Sequence, residues 1–255
     1  MTMLWHKAWV DARWRLIAWM AVLTVLACGV VIQYPEMMRL RGSAAALDPG
    51  DGRLARLIRD AVETQRDFRG YVWYQWFNQN LLHLWVLAAA VLGSGGLVPS
   101  GPGGAELFTA ALPVSRRRIF AVRAATDLAG LAALALLPSL AIPLLAGTIG
   151  QRYPAGAVAV HAFCLFAGGS AFYGAALGCS AVVSGVWRPL LLTLGGAVAL
   201  GALEYVVPWP GVFTTMSGES YLRHAALPWV GLLTAGAAAA ALLALGSRRF
   251  ERRDF

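Results

Sequence analysis

The ionisable side chains that lie within apolar stretches are the first candidates for chemistry in this chain. They are His83, Asp127, His161 and Glu204, and each lies in a different stretch. Acid–base catalysis needs such groups side by side, and neither H-E-x-x-H nor G-x-S-x-G occurs in the sequence. The single lysine, Lys7, has no glycine-rich context, so the chain contains no P-loop and is not a P-loop ATPase.

The composition predicts that the elements positioning these groups are membrane helices. Hydrophobic residues make up 58% of the 255 residues, charged residues only 13%, and the mean hydropathy is +0.61. A soluble domain of this length needs more charge on its surface. The apolar residues form runs of about 20, which cross roughly 30 Å of hydrocarbon as helices.

We therefore predict an all-α polytopic membrane protein that forms a single transmembrane domain over residues 1–255. The six predicted spans cover residues 16–34, 81–98, 116–147, 157–183, 190–206 and 229–245. Pro138 and Pro143 should bend the third span in its second half. Residues 3–15 predict an amphipathic helix ahead of the first span, with Trp5 and Trp9 on its apolar face.

The net charge of +8 comes from arginines that flank the apolar runs. This distribution favours contact with anionic lipid headgroups and argues against nucleic acid as a partner. Asp127 lies four residues after Arg123, so the two side chains can pair on one helix face. Asp127 is either this simple neutralising partner near an interface or a functional group inside a span.

Residues 35–80 predict a loop between the first two spans that contains a charged amphipathic helix. Five aromatic residues follow this helix directly, between residues 71 and 77. Such a cluster is either an interfacial aromatic belt or a wall of a substrate site. For the second interpretation, the possible pathway residues are Trp76, Asn78, Asn80, His83 and Glu204.

The segment GPGGAELFTAALPVSRRRIFAVR, residues 101–123, lies between the second and third spans. It predicts a short helix over 105–112, in which Leu107, Phe108 and Leu112 share one face. Pro113 ends this helix, and Ser115 is suited to cap the next one. A short two-faced helix outside the bilayer, followed by three arginines, is suited to press on a cytosolic partner.

The longer string GGLVPSGPGGAELFTAALPVSRRRIFAVRA resembles the loop between the second and third helices of ABC-2 type permeases, the membrane subunits of bacterial ABC exporters. Phe108 and the LPVSR motif match the family pattern. The usual Gly-Thr pair is replaced by Gly104-Ala105, and the acidic residue that usually precedes it is missing. The hydropathy of the whole chain fits the same family.

The resemblance implies that residues 3–15 form an elbow helix on the cytosolic surface and that residues 101–115 form a coupling region. It also implies outer-surface or re-entrant helices between the fifth and sixth spans, and both termini in the cytosol of a bacterium, below its plasma membrane. The residues that would contact an ATPase are Glu106, Leu107, Phe108, Leu112, Pro113, Ser115 and Arg116.

The partners implied by the resemblance are a dimer of ABC ATPase subunits and a second permease subunit, identical or related. ATP and Mg would bind to the ATPase, and this chain would bind no cofactor or metal. Ser170, Gly174 and Gly178 form a stripe of small residues that packs either within the subunit or at a dimer interface. The alternatives are a membrane-embedded enzyme acting on lipid and a non-transporting sensor or assembly subunit.

Overall fold

The computed structural model describes residues 2–44, 52, 60–94, 114–183, 185–207 and 211–252. Within these ranges the regular secondary structure is helical, with no strand. The α-helices are α1 (Thr2–Ala44), α2 (Phe68–Val72), α3 (Leu81–Gly93), α4 (Arg116–Leu136), α5 (Ala141–Ala146), α6 (Ala155–Val182), α7 (Trp187–Val206), α8 (Val212–Ser217), α9 (Glu219–His224) and α10 (Trp229–Glu251).

The first helix differs from the prediction. The expected elbow at 3–15 and the span at 16–34 belong to one helix of 43 residues, which continues through Pro35 to Ala44. At 1.5 Å per residue, α1 is about 65 Å long, twice the thickness of the hydrocarbon layer. No glycine or proline separates the two predicted elements, so the helix has no residue at which to break.

Within the described ranges, five helices are long and apolar enough to cross a bilayer, so the chain is a multi-pass membrane protein. They are Leu4–Leu40, Arg116–Ile149, Ala155–Val182, Trp187–Val206 and Trp229–Glu251. The predicted count of six is not confirmed. The expected second span, 81–98, is described only as α3, whose 13 residues reach about 20 Å. A π-helix, Trp73–Asn80, precedes α3 and connects it to α2.

Contacts between the helices establish their relative directions. Trp85 of α3 lies against Gly169 of α6, and Gly93 lies eight residues later against Ala176, so these two helices run parallel. The indole of Trp85 also donates to the carbonyl of Leu131 in α4.

Helix α10 runs parallel to α6 as well. Gly174 of α6 contacts Leu242 of α10, and Gly178 contacts Gly246 four residues further along both helices. The small residues predicted to form a packing stripe thus face another helix of the same chain. Ser170, the third of them, donates its hydroxyl to the carbonyl of Phe166 within α6.

One end of the bundle collects most of the basic residues. It holds the beginnings of α1, α4 and α7 and the ends of α3, α6 and α10, and we call it the basic end. Arg117 and Glu251 link α4 to α10 there, with their charged atoms 4.0 Å apart. The described basic residues at this end are Lys7, Arg13, Arg15, Arg116, Arg117, Arg118, Arg123, Arg188, Arg248, Arg249 and Arg252.

Pro138 ends the regular α-helical part of the third span, within the half where a bend was expected. Helix α4 stops at Leu136, a 3-10 turn covers Pro138–Leu140, and α5 follows. Proline has no N–H to donate and its ring clashes with the preceding turn, so the α-helical ladder is interrupted. Pro143 lies inside α5 and does not end it.

We predict that Gly93→Ala destabilises the bundle by about 1–3 kcal/mol, because the space beside this residue is already filled. A Cβ atom at Gly93 would lie 2.7 Å from the Cβ of Ala176 and 3.1 Å from the carbonyl oxygen of Tyr173. The measurement is thermal unfolding in detergent, followed by intrinsic tryptophan fluorescence.

Gly196→Ala is the matched control, since a Cβ atom there meets nothing within 4 Å. This variant should unfold at the same temperature as the wild type or slightly above it, because alanine is the better helix former. Equal unfolding temperatures for the two variants would contradict the close packing of α3 on α6.

Candidate functional site

Asp127 lies buried at the centre of a charged cluster near the basic end. Its carboxylate Oδ2 atom is 3.5 Å from Nε of Arg123 on the same helix. The same oxygen accepts a hydrogen bond of 3.0 Å from the hydroxyl of Tyr173 on α6. The sequence predicted the pairing of Asp127 with Arg123. It did not predict the third member, Tyr173, which lies 46 residues after Asp127 in the chain.

Arg123 connects this cluster to α3. Its Nη2 atom donates to the carbonyl of Leu92, 3.3 Å away, in the last turn of α3. A guanidinium at this position also interacts favourably with the negative end of the helix dipole. Three helices therefore meet at one arginine and one carboxylate, immediately before the segment that links α3 to α4.

Because the cluster is buried, a substitution within it is expected to lower the stability of the bundle. The side chain of Asp127 is 4% exposed and that of Arg123 is 19% exposed, so little water compensates either charge. Removing one partner of such a pair leaves the other charge without compensation in a medium of low dielectric constant. Charged groups inside membrane helices are for this reason functional candidates.

Aromatic residues at the opposite end of the bundle are buried and do not form a lipid-facing belt. Tyr71, Trp73, Trp76 and Phe77 are at most 4% exposed. Most of them lie in the π-helix, whose extra residue per turn redirects side chains and is frequent at functional sites.

The buried tryptophans fix the π-helix and α3 to other elements by their indole N–H groups. Trp73 donates to the carbonyl of Ser217, the last residue of α8, and Trp76 donates to the hydroxyl of Ser139 in the 3-10 turn. Both hydrogen bonds are 2.9 Å long. They satisfy polar groups that would otherwise be buried without a partner.

His161 lies in the same aromatic region and is fully buried, not at the interface. Its ring stacks on Phe77 with centroids 4.5 Å apart and meets Tyr221 edge-on at 5.5 Å. Nδ1 is 3.1 Å from the carbonyl of Ser217, which requires the proton on that nitrogen. Nε2 is then the acceptor, and no described residue hydrogen-bonds to it.

Two further polar side chains complete this region. The guanidinium of Arg69 lies 5.7 Å from the centre of the Tyr221 ring. Tyr153, in the turn before α6, packs its ring edge-on against Phe68. Burial raises the pKa of the Tyr153 phenol above its ordinary value although Arg69 opposes the change, so the hydroxyl stays protonated.

The predicted pathway residues are not brought together in one cavity. Trp76 fills the core, Asn80 donates its side-chain amide to the carbonyl of Gln75, and the exposed His83 contacts the carbonyl of Gln79. Asn78 is half-buried. Their assignment to a substrate pathway stays a prediction.

Glu204, near the end of α7, connects this helix to the start of α8. Its carboxylate accepts hydrogen bonds from the backbone N–H groups of Val212 and Phe213, the first residues of α8. A carboxylate at this position caps the helix and complements its dipole. Glu204 also lines a cavity of about 300 Å³ together with Thr215 and Thr234, and none of the other predicted pathway residues lines this cavity.

The predicted ATPase contacts fall largely outside the described residues. Glu106, Leu107, Phe108, Leu112 and Pro113 lie there. Ser115 and Arg116 are described, and Ser115 is the N-cap of α4 as predicted. Its backbone carbonyl accepts from the N–H of Arg118 at 2.9 Å, while its side chain makes no capping hydrogen bond.

Little in the sequence indicates which residues pair across helices. Tyr173 and Ser139 are single polar groups within apolar stretches, and no spacing rule connects them to their partners. A hydroxyl in an apolar helix signals that it needs a partner, but it does not say on which helix this partner lies.

Comparison of the chain with protein-family models, curated proteins and solved structures found no match. Function therefore has to be inferred from the sequence motifs and from the geometry described above. Among the described residues, no three His, Cys, Asp or Glu side chains lie close enough together to hold a metal ion.

We predict that Asp127→Asn lowers the free energy of unfolding by about 3–5 kcal/mol, because Arg123 then remains buried and uncompensated. Tyr173→Phe should lower the free energy of unfolding by about 1–3 kcal/mol, since it removes only one hydrogen-bond donor. The double variant Arg123→Met/Asp127→Leu should be more stable than Asp127→Asn alone, because it leaves no buried charge without a partner. The measurement is unfolding in detergent by heat or denaturant.

Arg118→Gln serves as the control for these variants, because this exposed arginine lies one turn earlier on α4. It should unfold like the wild type. Wild-type stability of Asp127→Asn would show that the carboxylate is not needed to compensate Arg123.

Proposed function

We propose that the chain is the permease subunit of an ATP-driven ABC exporter in a bacterial plasma membrane. The observation that carries the proposal is the LPVSR motif with Phe108, placed between the second and third apolar segments of the chain. ATP hydrolysis, with its Mg, takes place on a separate ATPase subunit, because this chain has no P-loop lysine. A second permease subunit completes the translocation pathway.

The arrangement of basic residues supports a cytosolic basic end. Arginines collect where α1, α4 and α7 begin and where α3, α6 and α10 end. Lysine and arginine are enriched on the cytosolic side of membrane proteins. In this orientation both termini and the loop between α3 and α4 are cytosolic, and α2, α3 and the π-helix together provide a sixth passage through the membrane.

The buried charge cluster offers a physical route from the loop into the bundle. Arg123 contacts the last turn of α3 and the carboxylate of Asp127, while Tyr173 extends the cluster to α6. A push on the loop displaces the ends of α3 and α4, which this cluster holds together. Closure of the ATPases on ATP would then bias α6 between two transport states.

The first experiment is a tagged purification of the chain from its native host in mild detergent, followed by mass spectrometry of the proteins that co-purify. A stoichiometric P-loop ATPase would support the proposal. Its absence under conditions that preserve membrane complexes would contradict it, and the sensor and membrane-enzyme alternatives would then take precedence.

We predict that Phe108→Asp abolishes co-purification of the ATPase, because a charge replaces the largest apolar side chain on the contact face. Thr109→Asp is the matched control, since the same charge then lies off that face of the predicted helix. When each is expressed without the ATPase, both variants should give the same size-exclusion profile as the wild-type chain expressed in the same way. Normal assembly of the Phe108→Asp complex would refute the docking role.

A further inference from the structure

A groove runs along the surface between α1 and α4, starting at the basic end. It has a volume of about 540 Å³, within the range of typical ligand sites. Its α1 side extends from Trp5 to Met20, which corresponds to about 22 Å along the helix. The groove is therefore long and narrow, like an extended hydrocarbon chain.

The lining of the groove is apolar apart from one charge. Arg13 is the only charged residue among those that line it. Thr126, the only lining hydroxyl, donates to the carbonyl of Val122 within its own helix and has no free donor.

A close contact between the helices closes the groove on its inner side. A Cβ atom at Gly130 would lie 2.7 Å from both methyl carbons of Leu16, so α1 and α4 touch at this glycine. Trp5 and Trp9, which are 50% and 52% exposed, form the edge of the groove towards the basic end. Exposed tryptophans beside arginine are typical of the lipid headgroup layer.

We propose that this groove binds one anionic phospholipid. The phosphate lies at Arg13, one helical turn beyond Trp9 along α1. One acyl chain follows Leu16 and Met20 past Ala129 and Ala133. Arg13 is exposed, and the salt bridges between described residues do not include it. Its guanidinium lies 5.5 Å from the centre of the Trp14 ring.

Charge distinguishes the lipid from a second copy of the chain as the occupant. A symmetric dimer contact over this groove would place two Arg13 side chains in one interface, since both copies use the same surface. The groove contains no carboxylate to compensate them. An anionic lipid supplies the missing charge and fills the apolar part of the groove. This site does not depend on the proposed transport function.

The test uses the full chain reconstituted into bilayers of equal parts phosphatidylglycerol and phosphatidylcholine, then extracted into mild detergent. Native mass spectrometry counts the lipids that each chain retains. We expect one retained phosphatidylglycerol, at least fivefold in excess over phosphatidylcholine, as one basic residue at an anionic headgroup can provide. Phosphatidylglycerol should also raise the unfolding temperature of the wild type.

Arg13→Gln should remove the preference for the anionic lipid while leaving the fold intact, because Arg13 is exposed. Ala129→Phe fills the groove, so it should prevent retention of either lipid. Arg248→Gln removes another exposed arginine at the basic end and should retain lipid like the wild type.

Two outcomes would overturn the site. Wild-type lipid retention by both Arg13→Gln and Ala129→Phe would mean that the lipid binds elsewhere. A change from dimer to monomer in Ala129→Phe, with lipid retention unchanged, would assign the groove to contact between copies of the chain.

Discussion

The carboxylate of Asp127 must be compensated inside the bundle, and the packing around the basic end depends on this requirement. Arg123 supplies the opposite charge, Tyr173 supplies a hydrogen bond, and Arg123 in turn holds the last turn of α3. None of these groups can be removed without leaving a buried polar atom or charge unpaired. Asp127 thus joins α4 to α6, and its partner Arg123 joins α4 to α3 beside the connecting segment.

Away from this cluster the helices are held by close packing and by indole hydrogen bonds. Lipid tails are as apolar as leucine, so apolar surface alone does not bring helices together in a bilayer. Small residues such as Gly93 and Gly174 allow backbones to approach closely instead. Trp73 and Trp76 add directed hydrogen bonds at the other end, where the π-helix packs against α8 and the 3-10 turn.

The sequence predicted most of the helix positions, because the hydropathy of a membrane helix is a local property. The fourth to sixth spans begin within three residues of their predicted starts. The prediction was wrong where a boundary depended on packing: α1 continues through the expected elbow junction and through Pro35. The predicted second span does begin at Leu81, but the π-helix Trp73–Asn80 that precedes it was not predicted. A change from i→i+4 to i→i+5 hydrogen bonds leaves no signature in hydropathy.

The composition and the hydropathy of the sequence were enough to predict a multi-pass membrane protein, because both are local properties of the chain. The pairing of Arg123 with Asp127 also followed from the sequence, since four residues make one helical turn. Only the tertiary structure decided that Tyr173 joins this pair, that His161 is buried against Phe77, and that α1 and α4 leave a groove beside Arg13. The physical reason is that these contacts join helices whose separation along the chain carries no information about their neighbours in space.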